Sequence, residues 1–174
     1  MIKILSLILA IVPCVVLASD ESPYAGEEIR SIKSLSHKEI ESLRRGDGMG
    51  FAKLAELNHY PGPKHVLDIS DDLGLSPQQL ADSQGLYEEM RANAVLLGAQ
   101  LLAAESRLDQ KFEQGSIDQD SLETALLEIG RLRAQLRYVH LSAHLRQERL
   151  LRSEQIRIYD AVRGYHGTAH DHAK

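Results

Sequence analysis

The chain has no tryptophan and two phenylalanines, and aromatics make up 5% of its 174 residues. Sandwiches and barrels lean on aromatic and β-branched side chains, so this scarcity weighs against both. The single cysteine, Cys14, excludes an internal disulfide framework and a cysteine-rich zinc site. There is no basic excess: 20 Lys and Arg face 25 Asp and Glu, a net charge of −5. That balance counts against general nucleic-acid binding. No nucleophile–base pair and no paired carboxylates stand out, which points away from an enzyme.

What is present is an ordinary globular share of hydrophobic (43%) and charged (26%) residues in a length that suits one domain. Leu, Ala, Gln, Arg and Glu dominate, and these favour helix. Met1-Ile2-Lys3 is a short basic start, followed by an apolar run from Ile4 to Leu17. The run is short for a membrane span and ends in Ser19-Asp20-Glu21. It reads as a signal peptide over 1–18, cleaved after Ala18, with no membrane span in the mature chain. Pro13 before Cys14 does not suit a lipoprotein signal, so the mature chain is expected to carry no cysteine. Residues 19–34 show no clean period and are expected to form a flexible arm.

Helical signals then follow one another. Leu35-Ser36-His37-Lys38-Glu39-Ile40 combines a capping box with a hydrophobic staple, and the glycine cluster from Gly46 to Gly50 ends that helix. Short helices are expected over 51–58 and 65–73, around a Tyr60-Pro61-Gly62-Pro63 turn. Leu75-Ser76-Pro77-Gln78-Gln79-Leu80 starts the first long helix, with Ser76 as cap and Pro77 at the first helical position. Its apolar stripe, Tyr87, Met90, Ala94, Leu97, Leu101, Ala104 and Leu108, has the spacing of a coiled-coil seam. After Gly115, Asp118 or Ser116 caps a second long helix with a matching stripe from Leu122 to Ala143. Matched seams and a short turn predict an all-α fold built on an antiparallel hairpin. The register places Leu101 near Ile129, Ala94 near Leu136, Tyr87 near Ala143 and Arg91 near His140. Leu151-Arg152-Ser153-Glu154-Gln155-Ile156 opens a last helix to about 163, with Arg152 a poor cap. Apolar Leu126, Leu127, Leu141 and Leu145 beside the second seam imply further packing, by the short helices and by a second copy in a homodimer.

Two features bear on function. His140 and His144 lie four apart, so both rings can share a helix face and chelate a divalent transition metal. A third ligand is then needed: Glu148 lies one turn on, and His59, His65 and Glu88 are further candidates. The alternative is a pair of surface histidines bonded to acids or water. His166, His170 and His172 make the 166–174 tail histidine-rich, either a loose metal ligand or a soluble end. Charge is also segregated: Asp68 to Glu128 is acidic, and Ile129 to Lys174 is basic. Either an acidic helix pairs with a basic one, or the basic helix offers a face to unfolded clients. Arg133, Arg137, Leu141, Leu145 and Arg146 would form that face.

Leu75-Ser76-Pro77-Gln78-Gln79 and Leu151-Arg152-Ser153-Glu154-Gln155 are two copies of a Leu-Thr-x-x-Gln pattern, with Ser76 and Arg152 in place of Thr. With the export signal and the hairpin, they make the chain resemble the Spy/CpxP group of periplasmic proteins. That group includes ZraP-like zinc binders and CnrX-like heavy-metal sensors. The resemblance covers residues 63–165 and leaves 35–59 without a role. It implies a periplasmic, bent, usually dimeric hairpin that acts by binding. The function is then an ATP-independent chaperone or envelope-stress modulator, with clients or a regulatory partner, or alternatively a zinc, nickel, cobalt or copper binder or sensor. His140 and His144 resemble the second-helix ligands of the CnrX-like sensors.

Overall fold

The computed structural model describes residues 22–165. The expected signal peptide (1–18) and histidine-rich tail (166–174) lie outside the described residues. Within them every regular element is a helix, and none is long and apolar enough to cross a membrane.

Helix α1 (His37–Arg45) opens on the expected capping box: Ser36 Oγ accepts from the Glu39 amide at 3.2 Å, and Glu39 Oε2 accepts from the Ser36 amide at 2.8 Å. It closes at Gly46, whose φ of 72° suits a residue without a Cβ. Helix α2 (Lys53–Glu56) is one turn, shorter than the 51–58 expected. The helix expected over 65–73 is divided into α3 (Pro63–Asp68) and α4 (Ser70–Leu73). Ile69 separates them at φ −125°, outside the helical range.

The two long helices are α5 (Pro77–Glu113) and α6 (Gln119–Leu150). Asp118, rather than Ser116, caps α6, accepting from the Ser121 amide at 2.8 Å. Ala94, Leu101 and Ala104 from α5 join Ile129, Leu132 and Leu136 from α6 in one buried cluster; Leu86, Met90 and Ala143 form another, with Tyr87 against it. The predicted apolar neighbours therefore fall in shared clusters. Ion pairs run along the seam: Arg107–Glu128 at 3.0 Å, Arg133–Glu105 at 2.6 Å and Arg146–Glu89 at 2.7 Å. The last two join arginines of α6 to acids of α5, in antiparallel register.

The segment before α1 is irregular yet anchored, which corrects the expectation of a free arm for its described part. Ile32 and Leu35 are buried in the main cluster, Lys33 pairs with Asp109 at 3.1 Å, and Ser34 donates to Glu105 at 3.1 Å. Within the arm, Ile32 supplies an apolar anchor that periodicity does not reveal.

The two motif copies meet at the open end of the hairpin, where α7 (Ser153–Arg163) begins. Gln79 Nε2 donates to the Leu150 carbonyl at 2.7 Å and to Gln155 Oε1 at 3.0 Å. Gln155 Nε2 donates to the Leu73 carbonyl at 3.2 Å and to Gln79 Oε1 at 3.2 Å. Each glutamine also accepts the amide three residues before it, from Ser76 at 3.0 Å and Arg152 at 2.9 Å. Gln155 thus compensates for the poor cap. The pairing joins the start of α5 to the end of α6 and the start of α7. Val66, Leu73 and Tyr159 pack beside it.

Close approach of α1 to α5 depends on Gly98. A Cβ there would lie inside contact distance of the Leu43 carbonyl oxygen and 3.0 Å from its carbon. Gly98→Ala is expected to destabilise the fold by about 1–3 kcal/mol, the usual cost of overpacking. Gly85→Ala, with nothing within 4 Å, should instead gain up to about 1 kcal/mol of helix propensity. Urea unfolding followed by circular dichroism checks both.

Candidate functional site

A chamber of about 580 Å³ opens between the hairpin and the 46–65 segment. That volume is in the range of small-ligand sites. His140 and His144 of α6 and Tyr87 and Met90 of α5 form one side. The Gly46–Gly50 loop, Glu56, Gly62 and His65 form the other, and Tyr165 after α7 closes an edge. The segment without a role in the sequence reading therefore builds half of the chamber.

Backbone conformation shapes this wall. Gly48 and Gly50 flank Met49, which is held at φ 44°. His59 sits at φ 66° just before the Tyr60–Pro63 turn. Side-chain-bearing residues rarely adopt such values, and they tend to cluster at functional places. Gly62 lets the turn touch α6: a Cβ there would lie 2.9 Å from His144 Nε2 and 3.0 Å from Glu56 Oε1.

Glu56 collects the polar groups. His65 Nδ1 donates to its Oε1 at 2.8 Å. Tyr159 donates to its Oε2 at 2.8 Å, and Tyr165 to the same oxygen at 3.2 Å. Burial pushes the Glu56 carboxyl up, but the bonds from His65 and Tyr159 outweigh it, leaving the group below its ordinary value. Burial and the Glu56 charge push the Tyr159 phenol well up, so it stays a neutral donor.

The two histidines of α6 are buried, at 3% exposure for His140 and 7% for His144. His144 Nδ1 donates to the Tyr60 carbonyl at 2.8 Å, which leaves Nε2 as a lone-pair nitrogen. The His140 ring stacks on Phe51, centroids 5.8 Å apart, and its Nε2 is buried with no hydrogen-bond partner among the described residues. Burial lowers both pKa values, aided at His140 by the neighbouring His144. Both rings are thus neutral near pH 7, the state that binds a cation.

Of the third ligands weighed, His65 alone lines the chamber, with its Nδ1 held by Glu56. His59 Nδ1 instead pairs with Asp160 at 2.8 Å. Glu88 is exposed and accepts from Gln84 at 2.7 Å, and Glu148 is half-buried outside the chamber. Arg91 does not line the chamber, although the register places it near His140, but Arg45, Lys53, Lys64 and Arg163 do. Among the described residues no three His, Cys, Asp or Glu side chains form a group able to hold a metal ion. The sequence reading missed Met49, Glu56, Met90, Tyr159 and Tyr165 as site residues. Only the glycines around Met49 and the turn at Gly62 carried a local signal.

No protein-family model, no curated protein and no solved structure matches this chain.

The buried histidines make stability depend on pH. Their native pKa values lie below the ordinary 6.5, so the unfolded state takes up protons first. Stability is full above about pH 6.5 and falls below it, by up to about 1.4 kcal/mol per pH unit for each histidine. Glu56, held below 4.5, adds a further loss at more acid pH. Melting temperature should therefore drop between about pH 7.5 and about pH 5. His140→Leu, which removes one such group, should flatten that slope.

Proposed function

We propose that this chain is an exported, non-enzymatic heavy-metal binding protein of the Spy/CpxP kind, periplasmic once its signal is removed, with the chamber as its functional centre. The observation that carries this reading is the state of His140 and His144. Both rings are buried and neutral and line one chamber, and His144 has its other nitrogen fixed by a backbone carbonyl. Metal-ligating histidines are held in that way. Among the described residues no serine, threonine or cysteine lines the chamber, which favours binding over nucleophilic chemistry. The meeting of Gln79 with Gln155 supports the family resemblance, since it gives both motif copies a shared structural task.

Metal analysis of untagged protein tests the reading. His166, His170 and His172 are replaced by Ser throughout, so that the tail cannot contribute. The protein should bind about one equivalent of zinc, nickel, cobalt or copper, and the His140→Ala/His144→Ala variant should bind none. Equal binding by the variant contradicts the proposal.

A second reading, client capture, is favoured by the outer face of α6. Leu127, Tyr138 and Leu145 are 68%, 71% and 49% exposed there, on the side away from the seam, with Arg137 and Leu141 alongside. Apolar stripes of this kind mark interaction surfaces. Arg133 and Arg146 are engaged with Glu105 and Glu89, which shifts the face toward Arg137, Leu141 and Leu145. The same stripe suits a second copy in a homodimer. Light scattering of an unfolding client should show protection without ATP, reduced several-fold in Tyr138→Ser/Leu145→Ser at unchanged helicity. Sedimentation of both proteins at micromolar concentration separates the two uses: a dimer lost in the variant identifies a self-association face.

A further inference from the structure

We propose that the ion taken by the chamber is a soft monovalent one, Cu(I) or its surrogate Ag(I), held by the thioether sulfurs of Met49 and Met90 with the imidazoles of His140 and His144. The inference rests on the metal-binding reading of the chamber and names the class of ion.

Three observations converge. First, the donors for a harder ion are missing. Zinc, nickel and cobalt sites need several nitrogen, oxygen or thiolate ligands, and no such group of three forms among the described residues. Of the two carboxylates that line the chamber, Glu56 already accepts from His65, Tyr159 and Tyr165, and Asp47 accepts from Arg45 at 2.7 Å.

Second, beyond Met1 the chain contains two methionines, and both line this chamber. Met90 alone could be core filling, since it packs with Leu86 and Ala143. Met49 cannot be explained so. It is 41% exposed, belongs to no buried cluster, and is held at φ 44° between two glycines. An apolar side chain in a strained conformation at the mouth of a chamber calls for a ligand. Thioethers select soft ions such as Cu(I).

Third, the charge fits. Two thioethers and two neutral imidazoles add no negative charge; of the charged groups that also line the chamber, Arg45 pairs with Asp47 and Lys64 with Asp68, which leaves Lys53 and Arg163 against Glu56. The cost of burying an ion rises with the square of its charge, so a neutral donor set favours a monovalent ion over a divalent one.

The test is an anaerobic titration with Cu(I), competed against a chromogenic chelator, and parallel calorimetry with Ag(I), Zn(II), Ni(II) and Co(II). All proteins are the full chain with the three tail histidines replaced by Ser. Cu(I) and Ag(I) should bind at one equivalent, and the divalent ions at least a hundredfold more weakly. Met49→Leu, at the rim, should weaken Cu(I) at least tenfold. Met49→Leu/Met90→Leu should remove the preference for soft ions. Leucine for methionine is tolerated in cores, and circular dichroism confirms the fold. Unchanged Cu(I) affinity in the double methionine variant overturns the inference. Tight Zn(II), Ni(II) or Co(II) with weak Cu(I) overturns it too, yet leaves the metal-binding reading standing. Absence of all metal binding in folded protein overturns both.

Discussion

Glu56 ends a helix of one turn, too short to be stable alone. Its carboxylate nevertheless accepts hydrogen bonds from His65 on α3, from Tyr159 on α7 and from Tyr165 beyond it. Those donors come from segments that share no regular secondary structure with α2. Tyr159 is fully buried, so its hydroxyl needs this partner. The same carboxylate lies close to Gly62, and Gly62 packs against His144. One charged group therefore fixes the far wall of the chamber relative to α6. Without it, the buried Tyr159 hydroxyl would lose its acceptor, at about 1–3 kcal/mol.

The hairpin supplies what Glu56 cannot, a rigid surface on which the wall is built. Its seam is apolar and its edges are ion-paired, and its open end is closed by Gln79 and Gln155. Rigid elements hold ligand geometry better than loops do. Here two ligand candidates, His140 and His144, stand on α6 and Met90 on α5, while Met49 alone rides on a loop. That division suits a site that admits its ion past one mobile-chemistry donor, the flexible thioether at the mouth.

Much of this was legible locally. Capping boxes at Ser36 and Ser76 and the two seams depend on residues three or four apart, and these features appear where the sequence puts them. His140 could also have been placed more firmly. It lies between Leu136 and Ala143 at seam spacing, so the periodicity that predicts burial of those two includes it. The chamber was not legible, because its bonds span long separations; Glu56 and Tyr159 are 103 residues apart. The glycines at 46–50 announced a break in the helix but not what the break encloses. Ile32 lacks periodic neighbours, so its docking could not be read from a pattern. Charge segregation admitted two explanations, and the Arg133–Glu105 and Arg146–Glu89 pairs favour the structural one for those two arginines.

The central claim is that Met90, His140 and His144 on the hairpin wall and Met49 on the facing loop share one ion. X-ray absorption at the copper edge of the Cu(I)-loaded, tail-substituted protein tests it most directly. The account predicts a mixed shell of nitrogen and sulfur, with the sulfur contribution lost in Met49→Leu/Met90→Leu. A shell of nitrogen and oxygen alone in the protein with both methionines present would contradict it.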